Sequence, residues 1–244
     1  MERSFDPLFS VFSANGRSIS QLQAEAFERL TEELLRVNGY MNLTAVTDPE
    51  EIAVKHYADC ASIADLPATG VRVCDVGAGA GFPTLPLAIL RPDLQITAVD
   101  STEKRMRYVA QTADLLGLDG VSVRTGRAEE LGKKAEFREA YDFVTARAVA
   151  PLNILCELCL PLVRVGGFFC ALKAAGGREE LELAENAAAV LGAKVSQIRE
   201  FSLSDPSGAI GEDALKRMLI VFEKTDPTPE KYPRRYARIQ SDPL

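Results

Sequence analysis

Apolar residues change their spacing along this chain at about residue 70. Upstream, Leu22, Ala26, Leu30, Leu34 and Val37 recur at helical intervals behind a Ser20/Gln23 capping box, which predicts a helix over 20–37 with one apolar stripe. Asp48-Pro49-Glu50-Glu51 predicts a second helix start, with Asp as cap, Pro at the first helical position and Glu51 reaching back to the cap. That helix should run through His56 and Tyr57. Downstream come seven short β-rich runs, at 71–76, 95–100, 121–125, 141–145, 168–172, 194–201 and 218–223, separated by helical patterns such as 85–90 and 176–191. Repeated βαβ units of this kind predict an α/β fold with a doubly wound, mainly parallel seven-stranded sheet and an N-terminal helical extension. The segment 204–213 is rich in Ser, Gly, Asp and Pro and predicts a loop, so the last two strands should form an antiparallel hairpin. The expected divisions are 1–66 for the helical extension packing on the core, 67–224 for the α/β domain and 225–244 for a basic C-terminal tail.

Composition narrows the class. With 47% hydrophobic and 26% charged residues among 244, the chain reads as an ordinary soluble globular protein. No stretch approaches the roughly 20 apolar residues of a bilayer crossing, and Met1-Glu2-Arg3-Ser4-Phe5-Asp6-Pro7 does not open a secretory leader, so a cytoplasmic monomer without membrane contact is expected. Cys60, Cys74, Cys156, Cys159 and Cys170 are scattered in apolar context and read as reduced core thiols. The Cys156-x-x-Cys159 pair has no second pair or nearby histidine to complete a metal site, and no metal is expected. A net charge of −7 argues against whole-surface binding of nucleic acid but leaves room for a local basic patch.

The chemistry concentrates in Val73-Cys74-Asp75-Val76-Gly77-Ala78-Gly79-Ala80-Gly81-Phe82-Pro83, at the carboxyl end of the first strand, where doubly wound sheets bind ligands. A dinucleotide site wants G-x-G-x-x-G. Here the third glycine position is Phe82, and Pro83 removes an N–H donor, which makes a poor phosphate cradle. S-adenosylmethionine, an adenosine cofactor without phosphate, loses nothing by that. Asp100 closes the second strand, where a carboxylate accepts from both ribose hydroxyls of either cofactor, and Asp75 favours a cationic ligand over a diphosphate; each acid has a competing role as a helix cap. The backbone of Ala128 and Glu129, after the third strand, is placed to meet adenine, although Glu129 also suits helix-dipole compensation.

The fourth strand delivers Thr145-Ala146-Arg147-Ala148-Val149-Ala150-Pro151, without the Asp/Asn-Pro-Pro-aromatic tetrapeptide of exocyclic amine methylation or a thiolate nucleophile for pyrimidine C5. A ring nitrogen with its own lone pair, such as guanine N7, needs neither; positioning supplies most of the rate. Arg147 would grip the methionine carboxylate, donate to guanine O6, or serve in a structural ion pair.

Taken together, Asn42-Leu43-Thr44-Ala45, Lys55-His56-x-x-Asp59, Asp75 to Pro83, Val99-Asp100-Ser101, Gly126-Arg127-Ala128-Glu129, Ala146 to Leu152 and Ala171-Leu172-Lys173 resemble the 16S ribosomal RNA guanine-N7 methyltransferases, the glucose-inhibited division protein B family. The resemblance implies a class I, Rossmann-like methyltransferase of the bacterial cytoplasm, with S-adenosylmethionine as cofactor and 16S rRNA or the 30S subunit as partner. It implies that Gly77, Phe82, Ala128, Glu129 and Arg147 bind the cofactor, that Asp100, Ser101 and Thr102 lie close to its ribose and adenine, and that His56 and Lys173 line the face toward RNA; Gly79 of the glycine-rich turn and Asp75 are further expected cofactor contacts. No residue is assigned as catalytic; Arg147, Lys173 and His56 are positioning candidates. The chain departs from the family in having Thr84 and Ala174 where glycines are usual, swaps expected to leave cofactor binding intact, and in its C-terminal tail. That tail gathers Lys224, Lys231, Arg234, Arg235 and Arg238 around Tyr232 and Tyr236, and Lys231, Arg234, Arg235 and Arg238 are the expected RNA contacts. The alternatives are methylation of a protein or small molecule, and an NAD-dependent dehydrogenase or nucleotide sensor on the same fold.

Overall fold

The computed structural model describes residues 6–174 and 177–244; residues 1–5 of the stretch read for a leader and the expected helix start at Gly176 lie outside the described residues. Chain order is α1 (Asp6–Ala14), α2 (Gln21–Met41), α3 (Pro49–Ile52), a π-helical turn over Ala53–Ala58, α4 (Asp59–Ala61), β1 (Arg72–Val76), α5 (Thr84–Leu90), β2 (Gln95–Asp100), α6 (Glu103–Leu116), β3 (Val121–Thr125) and α7 (Ala128–Leu131). There follow β4 (Tyr141–Arg147), α8 (Leu152–Cys159), β5 (Val163–Ala174), α9 (Gly177–Val190), β6 (Ala193–Ser202), α10 (Glu212–Leu215), β7 (Lys216–Lys224) and α11 (Tyr236–Ser241).

The strands form one sheet in the order β3-β2-β1-β4-β5-β7-β6, parallel except for β7, which runs antiparallel to both β5 and β6. The doubly wound sheet and its closing hairpin are as expected. The loop 204–213 runs into the single turn of α10, too short for a crossover. Alternation along β1 separates the layers: Val73 joins one apolar cluster, while Cys74 and Val76 join another with α8, α9 and the tail. A third cluster packs α1 and α2 against Phe82, Leu85 and the inner face of α6. All five cysteines are buried and unpaired, and burial pushes the Cys60 and Cys170 thiols up to about 12, which keeps them protonated and unreactive.

Three local expectations are corrected. The α2 stripe is Ala24, Phe27, Leu30, Leu34 and Val37, whereas Leu22 is 78% exposed, because counting back from Phe27 at 3.6 residues per turn carries Leu22 to the opposite side. Glu51 does not reach back to its cap; Asp48 alone accepts from Glu50 N and Glu51 N, and Glu51 pairs with Lys55 one turn on. β5 begins at Val163 rather than 168, since Gly166 and Gly167 sit within the strand beside a register irregularity instead of breaking it.

The register places the site. Val76 pairs with Val99 on one side and Ala146 on the other, so the next residues along, Gly77, Asp100 and Arg147, emerge together at the carboxyl edge.

Candidate active site

The crossing from β1 to α5 is held by its own amides. Gly77 N and Ala78 N both donate to Val99 O (2.8 and 3.0 Å), Gly81 N and Phe82 N to Ala78 O (2.8 and 3.1 Å), and Gly79 N to Asp100 Oδ2 (3.1 Å). Glycine is required at two of these positions. Gly77 (φ +75°) would drive a Cβ into Val149 Cγ2, and Gly81 (φ +86°) would place one 2.6 Å from Leu85 Cδ1. Pro83 has no N–H, and Thr84 N donates to Asp75 Oδ2. The donors that cradle a diphosphate in dinucleotide folds are therefore engaged inside the protein.

Asp75, 1% exposed, lies beneath the crossing. Its Oδ2 accepts from Thr84 N (3.2 Å) and Thr84 Oγ1 (2.6 Å), tying β1 to the start of α5, while its Oδ1 is buried without any hydrogen-bond partner. Burial pushes this carboxyl up to about 6, against the pull of the Thr84 bonds. Thr84, where the family usually carries glycine, thus does more than add a hydroxymethyl group: its hydroxyl is the shortest contact Asp75 makes. Asp100 accepts one backbone N–H on each oxygen, from Gly79 and from Thr102 (2.8 Å), which leaves a lone pair on each. Ser101 is exposed and Thr102 half-buried at the head of α6. In α7 the first intrahelical bonds are donated by Glu130 and Leu131 to Arg127 O, so the Ala128 and Glu129 amides precede the ladder; Glu129 is itself buried, which raises its carboxyl pKa.

Beside the crossing, a cleft of about 540 Å³ opens over the ends of β4 and β5, with Lys55, His56, Arg147, Lys173 and Arg217 among its walls. Arg147 borders both sites. Its guanidinium lies 5.4 Å over the Phe82 ring and donates to Lys55 O (3.3 Å), Asp59 Oδ2 (3.0 Å) and His56 Nδ1 (3.4 Å). An arginine only donates, so His56 Nδ1 accepts, and Nε2 carries the proton given to Thr44 Oγ1 (3.0 Å). Burial first and Arg147 second push His56 down to about 4, fixing it as neutral; it stacks on Phe82 with centroids 4.6 Å apart. Asn38 holds the Thr44 loop, accepting from Leu43 N and Thr44 N and donating to Thr44 O. Lys173 pairs with Glu180 (2.8 Å) and donates to Ala150 O (3.2 Å).

Known proteins share both this sequence and this architecture. The family model for rRNA small subunit methyltransferase G matches residues 23–207. A ribosomal RNA small subunit methyltransferase G from an Exiguobacterium species is 48% identical over 233 residues, 95% of each chain. Proteins of the same name from Lactobacillus delbrueckii subsp. bulgaricus (42%, 93% of each chain) and Staphylococcus saprophyticus (44%, 95% of each) are similar over the same extent. The chain belongs to the rRNA small subunit methyltransferase G family. Among solved structures, M. jannaschii TYW2 in complex with AdoMet (TM-score 0.51, 16% identity, 70% of this chain and 76% of that one) and the [4+2]-cyclase SpnF (TM-score 0.54, 17% identity, 84% and 95%) share the fold. At such identity the likeness concerns architecture alone, and a cyclase among the neighbours illustrates why.

In this chain the expected site residues divide into two groups. Gly77, Gly79, Phe82, Asp75, Asp100, Ser101, Thr102, Ala128, Glu129 and Arg147 lie on or around the carboxyl edge of β1 to β4, and His56 and Lys173 line the adjoining cleft. The tail is docked rather than loose: Tyr232 and Ile239 are buried with α8, and Arg138 donates to Thr228 O (2.6 Å) and Tyr232 O (2.8 Å). Two of its cations are internal. Lys224 is fully buried against Glu139, Leu160 O and Thr228. Arg234, expected at the RNA face, is bound through its backbone N, Nε and Nη2 to the buried Glu157. Lys231, Arg235 and Arg238 are exposed, with Arg238 paired to Asp242. Sequence reasoning assigned no role to Asp59 or Arg217. Asp59 is buried and bridges Arg147 and Arg217 at 3.0 Å each, and its only signal was its place in the Lys55-His56-x-x-Asp59 stretch.

Proposed function

We propose that this chain transfers a methyl group from S-adenosylmethionine to N7 of a guanine in 16S rRNA. The observation that carries the reading is the set of internal hydrogen bonds of the crossing, which leaves a diphosphate few amides to bind while keeping open the acceptors that an adenosyl sulfonium needs. The unpartnered Asp75 Oδ1 suits the cationic amino group, the spare lone pairs of Asp100 suit the ribose hydroxyls, and the Ala128 and Glu129 amides suit the adenine ring nitrogens. Gly77 and Gly79 admit the ligand close to the backbone, with Phe82, Ser101 and Thr102 around it. When bound, the cofactor supplies an electrophilic methyl on its sulfonium.

The cleft beside Arg147 receives the acceptor. Guanine N7 carries an in-plane lone pair and no proton, so its methylation by the bound cofactor would require no base. The protein's part is orientation. His56, neutral and engaged on both ring nitrogens, fixes Arg147 and the Phe82 ring; Arg147 meets the methionine carboxylate or guanine O6, and Lys173 faces the RNA. Lys231 and Arg235 of the tail are the phosphate contacts, Arg238 is held by Asp242, and Arg234 anchors the tail that presents them. Labelled S-adenosylmethionine incubated with undermodified 30S subunits and with naked 16S rRNA, followed by nucleoside analysis, should put label into 7-methylguanosine. Label in no RNA nucleoside rejects the acceptor and leaves methylation of a protein or small molecule.

A further inference from the structure

The C-terminal tail does not act alone: its route over the protein joins it to a second set of cations. It leaves the amino edge of the sheet at Lys224, where Glu139 and Leu160 O hold that lysine, and then climbs beside the α7–β4 turn. Arg138 clasps both, donating to Gly132 O (3.1 Å) and Tyr232 O (2.8 Å), and Gly132 packs so closely on Pro233 that a Cβ there would lie 3.2 Å from the proline ring. Past Arg234, whose guanidinium is fixed by Glu157 of α8, the tail reaches the carboxyl edge, where the Arg127 guanidinium lies 5.3 Å over the Tyr236 ring. Arg127 immediately precedes Ala128 and Glu129, so the path ends at the adenine side of the cofactor site.

Residues 124–138 carry five cations against three acids, and 224–244 carry the same, within a chain of net charge −7. The cations divide into two sorts. Arg138, Lys224 and Arg234 bind the protein's own carbonyls or carboxylates, and Arg238 pairs with Asp242. Arg124, Arg127, Lys133, Lys134, Lys231 and Arg235 are exposed, and among the described residues none of these six has a carboxylate within ion-pair distance. The exposed acids interspersed with them that likewise make no ion pair are four, Glu130, Glu136, Asp226 and Glu230. Base stacking is a minor part of this surface: Tyr232 is buried, and Tyr236 is covered by Arg127.

We infer that the α7–β4 turn and the docked tail form one phosphate-binding track, in which Lys133 and Lys134 together with Lys231 and Arg235 hold the RNA backbone and Arg127 brings it to the edge of the cofactor site. The inference rests on the rRNA reading above and adds to it a grip made by residues 127–134, outside both the tail and the reaction cleft. Unpaired, exposed cations along a path suit a polyanion and release counterions when it binds.

The test is Lys133→Glu with Lys134→Glu, two exposed positions outside the cofactor site, with Lys194→Glu on β6 as a control for charge reversal away from the path. Binding to naked 16S rRNA is measured across a salt series, alongside S-adenosylmethionine affinity by calorimetry and methyl transfer by the wild type. Expected is about a tenfold or greater loss of RNA affinity near 0.15 M salt and a shallower salt slope, by ~0.7–0.9 for each phosphate no longer neutralised, with cofactor affinity and melting temperature unchanged. If the wild type methylates rRNA and the double variant binds it with unaltered affinity and slope, or Lys194→Glu weakens binding as much, the track is overturned while the rRNA reading stands. Label from the wild type in no RNA nucleoside overturns both.

Discussion

Asp75 is where residue-scale physics is most exposed to measurement. With its carboxyl raised to about 6 and one oxygen unpartnered, the side chain is largely protonated in the ligand-free protein at pH 5, and it must ionise to receive a cation. S-adenosylmethionine affinity is therefore expected to fall about tenfold between pH 7 and pH 5. Asp75→Asn should be weak and flat over that range, and calorimetry at the two pH values checks both; a wild-type Kd independent of pH removes Asp75 from the cofactor's cationic end. Gly77→Ala tests the crossing in a different way, because its Cβ meets Val149 in a left-handed conformation. Loss of cofactor binding by at least tenfold is expected, and unchanged binding would show that the crossing relaxes without cost. The types of residue at the strand ends were legible in the sequence, since a turn that must bend sharply beside a ligand admits few alternatives to glycine. Their partners were not. The bond from Thr84 to Asp75 spans nine residues and the pairing of Asp59 with Arg217 spans 158, and no local pattern encodes which side chains meet across such distances.

Periodicity served the elements better than the ends of the elements. The seven strands and α2 lie where their apolar spacing put them, but α2 is rotated at its start so that Leu22 faces solvent, and β5 begins at Val163, ahead of the expected 168, and runs through Gly166 and Gly167. The tail is the largest gap. Its basic composition hid the apolar anchors Tyr232 and Ile239, and the partner of Arg234 lies 77 residues away on α8. Glu157 is fully buried, so Arg234→Ala strands a carboxylate in the interior. A loss of about 3 kcal/mol is expected, which for a domain of this size lowers the melting temperature by roughly 10 °C. The double variant Arg234→Met with Glu157→Leu should recover much of that loss, since removing both charges also removes the desolvation cost. A single variant that melts like the wild type would show that the pair does not anchor the tail.

At the scale of the whole molecule, the N-terminal helical segment supplies the second wall of the cleft through Lys55, His56 and Asp59. Asp59, emerging from the π-helical turn, makes that wall continuous with the sheet by binding Arg147 of β4 and Arg217 of β7. The doubly wound architecture itself does not select a cofactor, because the same edge serves NAD and S-adenosylmethionine; in the proposed reading the selection lies in amides turned inward and a carboxylate left open. Titration calorimetry of the wild-type protein against both ligands is the most direct measurement of that selection. Saturable, one-to-one binding of S-adenosylmethionine with no heat from NAD is the expected result, and tight binding of NAD with none of S-adenosylmethionine contradicts the account.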